Sequence, residues 1–452
     1  MIWRSRDLVN WTPVGPALDK PLGSVWAMDI AKHDGRYFIY IPVLVSPTGR
    51  AEGLPFKIYV VHAESMAGPW SQPIDMGIDG HIDPGHAVGE DGLRYLFLND
   101  GHRVRISDDG LRRAGEVEKV YDGWPIPDDW VIEAFAPEGP KILRRGAWFY
   151  LFSGQGGTAG PPTSHMVVVA RSRSIHGPWE NCPHNPIVRT ANKAEPWWSR
   201  GHATPVEGPA GDWWLVYHGY ENGFRTLGRQ TLLEPAEWTA DGWFRARGGD
   251  LSKPLPKPRG GKVSASGRAL SDDFSANRFG SQWCFHDPKP DEMSRATYGK
   301  KALRIAGRGT SPADSSPLTC GVGDRSYEAE ITLELEGKGE GGLLLFYNPK
   351  AFIGLGFTPE RSRTFAWNEE QPWMSQTVAT KRVRIRVTNV ENVVTWHTSH
   401  DDGKTWALHG LRMEVSGLHH NVFGGFLSLK LAVYSAGDGA VHLSNFTYKA
   451  LA

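Results

Sequence analysis

One motif recurs four times in the first half of the chain: a turn built on glycine, followed at once by a run of aromatic and β-branched residues. It reads His33-Asp34-Gly35-Arg36-Tyr37-Phe38-Ile39-Tyr40, then Glu90-Asp91-Gly92-Leu93-Arg94-Tyr95-Leu96-Phe97. It returns as Arg145-Gly146-Ala147-Trp148-Phe149-Tyr150-Leu151 and as Gly211-Asp212-Trp213-Trp214-Leu215-Val216-Tyr217. Such a turn between apolar runs signals a hairpin, because glycine adopts a positive φ without steric cost. The four glycines stand about 55 to 65 residues apart, a period compatible with four-stranded blades that carry loops. Each hairpin is followed by a second half-unit, as in Ala63-Glu64-Ser65-Met66-Ala67-Gly68-Pro69-Trp70 and Arg171-Ser172-Arg173-Ser174-Ile175-His176-Gly177-Pro178-Trp179. The chain opens with a second half of this kind, Arg4-Ser5-Arg6-Asp7-Leu8-Val9-Asn10-Trp11, so a fifth hairpin is implied upstream of Met1. Radial repetition of short antiparallel sheets is propeller architecture. Residues 1–250 are therefore expected to form a five-bladed β-propeller with an incomplete first blade, in preference to a sandwich with coincidental turns.

The pattern stops at Lys253-Pro254-Leu255-Pro256-Lys257-Pro258-Arg259-Gly260-Gly261. Proline cannot donate to a central strand, and a run this rich in it reads as a semi-rigid linker, here 251–267. Beyond it the periodicity becomes simple alternation, in Tyr327-Glu328-Ala329-Glu330-Ile331-Thr332-Leu333-Glu334-Leu335 and in Arg382-Val383-Arg384-Ile385-Arg386-Val387. Half-buried antiparallel strands alternate in this way, so 268–452 is expected to be a two-sheet β-sandwich. The whole chain is all-β.

Composition narrows the function classes. Lys plus Arg equals Asp plus Glu at 50 each, which argues against a nucleic-acid or anionic-membrane partner. No apolar run is long enough to span a bilayer, and Met1-Ile2-Trp3-Arg4-Ser5-Arg6 does not open a signal peptide. Three scattered cysteines, Cys182, Cys284 and Cys320, form neither a disulfide framework nor a zinc site. The 19 tryptophans are numerous. Most are expected to fill cores, and the remainder to offer flat faces on which sugar rings stack.

Polar residues recur just before successive hairpins. Asp29 lies in Val25-Trp26-Ala27-Met28-Asp29-Ile30, Asp83 in His81-Ile82-Asp83-Pro84-Gly85-His86, Glu138 in Ala136-Pro137-Glu138-Gly139-Pro140, and His202 in Arg200-Gly201-His202-Ala203-Thr204-Pro205. Singly, each reads equally well as a turn former or a solvated loop charge. In a radial repeat, however, these positions converge on the central axis. Two converging carboxylates suit glycoside hydrolysis, in which one carboxyl protonates the leaving oxygen and another activates water or attacks.

These residues carry a resemblance. The order Trp-Ala-x-Asp, Ile-Asp-Pro, Glu-Gly-Pro, Gly-His and Leu-Gly-Arg resembles glycoside hydrolase family 43, the five-bladed arabinanases, arabinofuranosidases and β-xylosidases, over residues 1 to about 250. The segment from Leu270-Ser271-Asp272-Asp273-Phe274-Ser275 is similar to the concanavalin-like sandwich attached to many β-xylosidases of that family. The resemblance implies that Glu138 is the general acid and that Asp83 orients it and raises its pKa. It places His202 near an axial calcium or water, without a required cofactor or a certain metal site, and Arg229, of Leu227-Gly228-Arg229-Gln230, near the substrate pocket. Trp26 and Trp124 are candidate sugar-stacking walls, and Asp29 matches a further position of the substrate site. The family inverts at the anomeric carbon, so acid and base should stand roughly 6.5–9.5 Å apart. Its general base is an aspartate in the first hairpin, which this sequence does not show, so the chain as written is expected to be inactive or weak.

The expected function is an exo-acting hydrolase releasing xylose from xylan or arabinoxylan oligosaccharides. An α-L-arabinofuranosidase shares all the same residues, an arabinanase ranks behind both, and a non-catalytic carbohydrate-binding propeller is the alternative from another class.

Overall fold

The computed structural model describes residues 1–44, 56–259, 269–378 and 380–451. Two compact units divide the chain: one contains Met1–Asn222 and Gln230–Gly267, the other Gly223–Arg229 and Arg268–Ala452. The short segment 223–229 was not separated from the propeller by sequence. It belongs with the second unit because Thr226 hydrogen-bonds there, its carbonyl accepting the Leu429 N–H and its hydroxyl donating to Asn392 Oδ1 at 2.9 Å. Residues 260–267 of the expected linker lie outside the described residues.

The first unit is a propeller-like array of four blades and a separate two-stranded sheet. Blade one contains Asp29–His33, Arg36–Leu44, Phe56–Ala63 and Ile74–Asp79, with Ser24–Val25 added to its second strand. Blade two runs Gly85–Val88, Arg94–Phe97, His102–Ile106, Arg113–Lys119. Blade three runs Glu138–Arg145, Trp148–Gln155, Met166–Ser172, Glu180–Asn181, and blade four runs Trp197–Glu207, Trp213–Glu221, Arg229–Trp238, Phe244–Ala246. The two-stranded sheet pairs Ile2–Ser5 with Trp11–Gly15, its turn capped by Asp7, which accepts the Val9 and Asn10 N–H groups. All four repeated glycines sit in the hairpins they were expected to make, with φ of 78°, 77°, 60° and 74° at Gly35, Gly92, Gly146 and Gly211.

Blades are held by apolar layers between neighbouring sheets. Tyr150, Phe152, Val167, Val169, Leu215, Tyr217 and Phe244 form one such layer between blades three and four. Burying side chains of this kind contributes about 1.5–3 kcal/mol each. Among the described residues only Trp214, Trp243, Trp283 and Trp396 are fully buried. Trp130, Trp148 and Trp238 are half-buried beneath arginines: Arg171 stacks on Trp148, Arg145 on Trp238 and Arg189 on Trp130, while Arg171 also covers the buried Trp243. An indole face at a blade edge offers its π-cloud to a cation.

The second unit is a sandwich of two seven-stranded antiparallel sheets. Its core joins Trp283, Leu303, Ile331, Leu333, Leu345, Ile385, Trp396 and Leu443. Both strands expected from alternation are present, as Ser326–Gly337 and Arg382–Val390, paired side by side. The outer face of the first is more covered than alternation alone suggests. Glu330 is buried there because Arg384 and Arg386 from the neighbouring strand close over its carboxylate.

Candidate active site

The inner strands of blades two, three and four share an unusual backbone feature. A residue just before, at or within each strand takes a left-handed backbone: Asp83 at φ 55° before Gly85–Val88, Gly139 at 58° at the start of Glu138–Arg145, and His202 at 57° midway along Trp197–Glu207. Aspartate tolerates this conformation because its short side chain bonds locally, whereas for histidine it costs about 1 kcal/mol or more. Two of the strands also bulge. Glu138 lies across from Gly154 but Lys141 from Phe152, so three residues answer two. In blade four Gly201 lies across from His218 and Thr204 from Val216, with the same surplus. A bulge re-aims the side chains on either side of it, and here it turns Glu138 and His202 toward each other.

His202 Nδ1 stands 3.5 Å from Glu138 Oε1 and 4.0 Å from Asp83 Oδ2. Asp83 Oδ2 also accepts the Gly139 N–H at 3.1 Å, which ties the heads of blades two and three together. Glu138 keeps a fifth of its side chain exposed to solvent while Asp83 is buried. Burial pushes the Asp83 carboxyl up to about 6, His202 opposing and the Glu138 charge adding to it. The His202 imidazole is raised as well: burial works against this, but the hydrogen bond to Glu138 and the Asp83 and Glu138 charges outweigh it.

Two further histidines complete the cluster, and sequence reasoning missed both. His165, fully buried, presents Nε2 to Glu138 Oε1 at 3.4 Å and Nδ1 to the Gln155 carbonyl at 3.1 Å. That carbonyl can only accept, so Nδ1 carries the hydrogen and Nε2 is the nitrogen turned to the Glu138 carboxyl. His218 stacks on His165 with ring centres 5.2 Å apart and tilts against His202 at 5.9 Å. The signal available for His165 was a polar residue opening the apolar run Met166-Val167-Val168-Val169, and for His218 one interrupting Trp214-Leu215-Val216-Tyr217.

The other expected site residues are placed as follows. Trp124 is clamped by Gln155, which accepts its N–H at 2.8 Å and donates to its carbonyl at 2.9 Å. Gln155 thus connects that tryptophan to His165. Trp26 lies edge-on to Phe56 at 4.8 Å, half-buried beside the first blade. Asp29 pairs with Lys141 Nζ at 2.5 Å and accepts the His86 N–H at 2.8 Å. Arg229 lies in the second unit, its guanidinium 4.9 Å from the centre of the Phe426 ring. Ligand atoms of Glu138, His202 and His218 come within 4.8 Å of one another, the one such group among the described residues. One carboxylate and two imidazoles do not fit calcium, which takes six to eight oxygens.

A part-exposed carboxylate, a buried second carboxylate and a histidine close to both, gathered from three propeller blades, are a set that glycoside hydrolysis can use. Residues 1–244 match Glycosyl hydrolases family 43, and the chain belongs to that family. Residues 271–449 match the beta xylosidase C-terminal concanavalin A-like domain. The chain is 25% identical to a non-reducing end alpha-L-arabinofuranosidase of Bacteroides ovatus, over 97% of this chain and 85% of that protein. It is 30% identical to a xylan 1,3-beta-xylosidase of a Vibrio species, over 54% of this chain and 50% of that one. In fold it resembles the xylan beta-1,4-xylosidase of Bacillus halodurans, with a TM-score of 0.84 at 21% identity over 99% of this chain and 92% of that chain.

Proposed function

We propose that this chain is an exo-acting, inverting glycoside hydrolase that releases xylose from xylan-type oligosaccharides. The observation that carries the reading is the Glu138–His202–Asp83 group, two carboxylates from adjacent blades meeting one imidazole. Glu138 is the general acid: it is the exposed member and can deliver a proton to the leaving glycosidic oxygen. Asp83 holds the Gly139 amide and so fixes the backbone that carries Glu138. His202 and His165 set the proton position on Glu138, and Trp124, fixed by Gln155, supplies an aromatic wall for the sugar. Trp26 and Asp29 complete the substrate-facing set in this reading.

The general base of an inverting enzyme is a further carboxylate across the anomeric carbon. The family pattern puts it in an Asp-Pro hairpin ahead of Trp26, and residues 1–25 contain no Asp-Pro. In the same reading the Ile2–Gly15 sheet is part of a fifth blade, and the chain divides into propeller 1–250, linker 251–267 and sandwich 268–452. Release of arabinose is the second reading, favoured by the Bacteroides relative, whose similarity extends over nearly all of the chain.

The test is hydrolysis of p-nitrophenyl β-D-xylopyranoside and α-L-arabinofuranoside by this chain and by a form extended upstream of Met1. Each is compared with its Glu138→Gln variant. The reading expects xylosidase activity from the extended form, falling by about 10²–10⁴ on the substitution. Activity that survives Glu138→Gln refutes the assignment of the acid, and preference for the arabinoside selects the second reading. Binding of xylo-oligosaccharides without turnover in either form makes the propeller a binding module.

A further inference from the structure

Further along the same inner strands lies a second group of polar residues, Asp29, His86 and Lys141, in which the reaction as described gives Lys141 and His86 no task. Lys141 follows Glu138 by three positions, yet the bulge at Gly139-Pro140 returns it to the same side of the strand. His86 follows Asp83 on blade two, and Asp29 opens the inner strand of blade one. Asp29 divides its oxygens between the other two strands: Oδ1 takes Lys141 Nζ and Oδ2 takes the His86 N–H. One carboxylate therefore pins three blades. The Lys141 and Asp29 side chains are only 15% and 13% exposed, so removing one charge strands the other out of water.

The pinning has no slack. A Cβ on Gly85 would lie 1.9 Å from the Pro140 carbonyl oxygen, so the inner strands of blades two and three touch backbone to backbone beside the pair. His86 adds no cation. Its titration is held down to about 3 by burial, then by Arg94 and His33, and its Nε2 accepts from Arg94 Nε at 3.1 Å. Lys141 is thus the cation of this group whose charge reaches the site, where it holds both the Asp83 and the His202 titrations down.

We infer that Lys141 and Asp29 form an axial strut, a pair of positioning residues that holds the strand heads bearing Asp83 and Glu138 in working register. The inference rests on the reading of Glu138 as the acid. Lys141→Met keeps the length of the side chain and removes its charge. The first readout is independent of turnover: the titration of His202, followed by nitrogen-15 NMR of labelled histidines in the full chain. His202 faces Glu138, Asp83, Lys141 and His218. Loss of the Lys141 cation should move its midpoint up by about half a pH unit. In the hydrolytically active form kcat should fall at least tenfold with KM changed less than threefold, and Lys141→Arg should recover part of it.

A His202 midpoint that stays within a tenth of a pH unit, or an unchanged kcat, overturns the strut. If Lys141→Met does not fold, Lys141→Met combined with Asp29→Asn removes the unpaired charge and carries the same two readouts. Failure of the hydrolase reading is visible separately, as activity that survives Glu138→Gln while the His202 titration still responds to Lys141→Met.

Discussion

Replacing Asp83 by asparagine should make the propeller more stable at neutral pH while removing the negative charge beside the acid. Asparagine is close in shape, tolerates the left-handed φ of 55° at this position, and retains Oδ1 to accept the Gly139 N–H. What it removes is the cost of a buried charge. The Asp83 carboxyl titrates at about 6 instead of 3.8, chiefly through burial. A group raised in the folded state favours folding in its protonated form. That contribution is complete below 3.8 and lost as pH rises through about 6. Above pH 7 the native chain therefore carries a penalty of at most about 3 kcal/mol, at 1.36 kcal/mol per pKa unit. For a unit of this size, that corresponds to a rise in Tm of about 6–12 °C in Asp83→Asn. Calorimetry of both proteins from pH 4 to 8 is the assay. The gap should be widest at pH 8 and close as pH falls toward 4, and xylosidase activity should fall across the range. A variant less stable than the parent at pH 8, or a gap independent of pH, would refute the reasoning.

Two other substitutions probe the framework. Gly85→Ala places a methyl 1.9 Å from the Pro140 carbonyl. It should cost about 1–3 kcal/mol and lower kcat more than it raises KM; a Tm unchanged within 1 °C would show that the strands separate freely. Trp283→Phe removes the indole N–H that donates to the buried Asp272 Oδ2 at 2.8 Å. It should destabilise the sandwich by about 2–3 kcal/mol in denaturant unfolding, and a loss below 0.5 kcal/mol would mean the carboxylate finds another donor.

Much of the fold was legible in the residues because its signals are local. A glycine at a hairpin, an alternating strand such as Arg382–Val390 and a proline-rich break each act within a few positions, so the blades and the sandwich follow from short stretches of sequence. The order Asp83, Glu138, His202 was legible too, since repetition alone assigns them equivalent places. Which atoms meet was not. Whether His202 reaches both carboxylates depends on bulges that place three residues against two, and nothing in Glu138-Gly139-Pro140-Lys141 or Gly201-His202-Ala203-Thr204 declares that surplus. His165 immediately precedes the third strand of blade three and His218 lies on the second strand of blade four, both beside apolar runs, where a polar residue gains meaning only once neighbouring blades pack and stack their rings. Asp29 and Lys141, 112 positions apart, become partners in the same way. The chain's own turns and alternation determine how it is cut into sheets, because those depend on backbone sterics and period. The proton-bearing cluster exists only after closure, when burial and charge from separate blades act on one another at 3 to 4 Å.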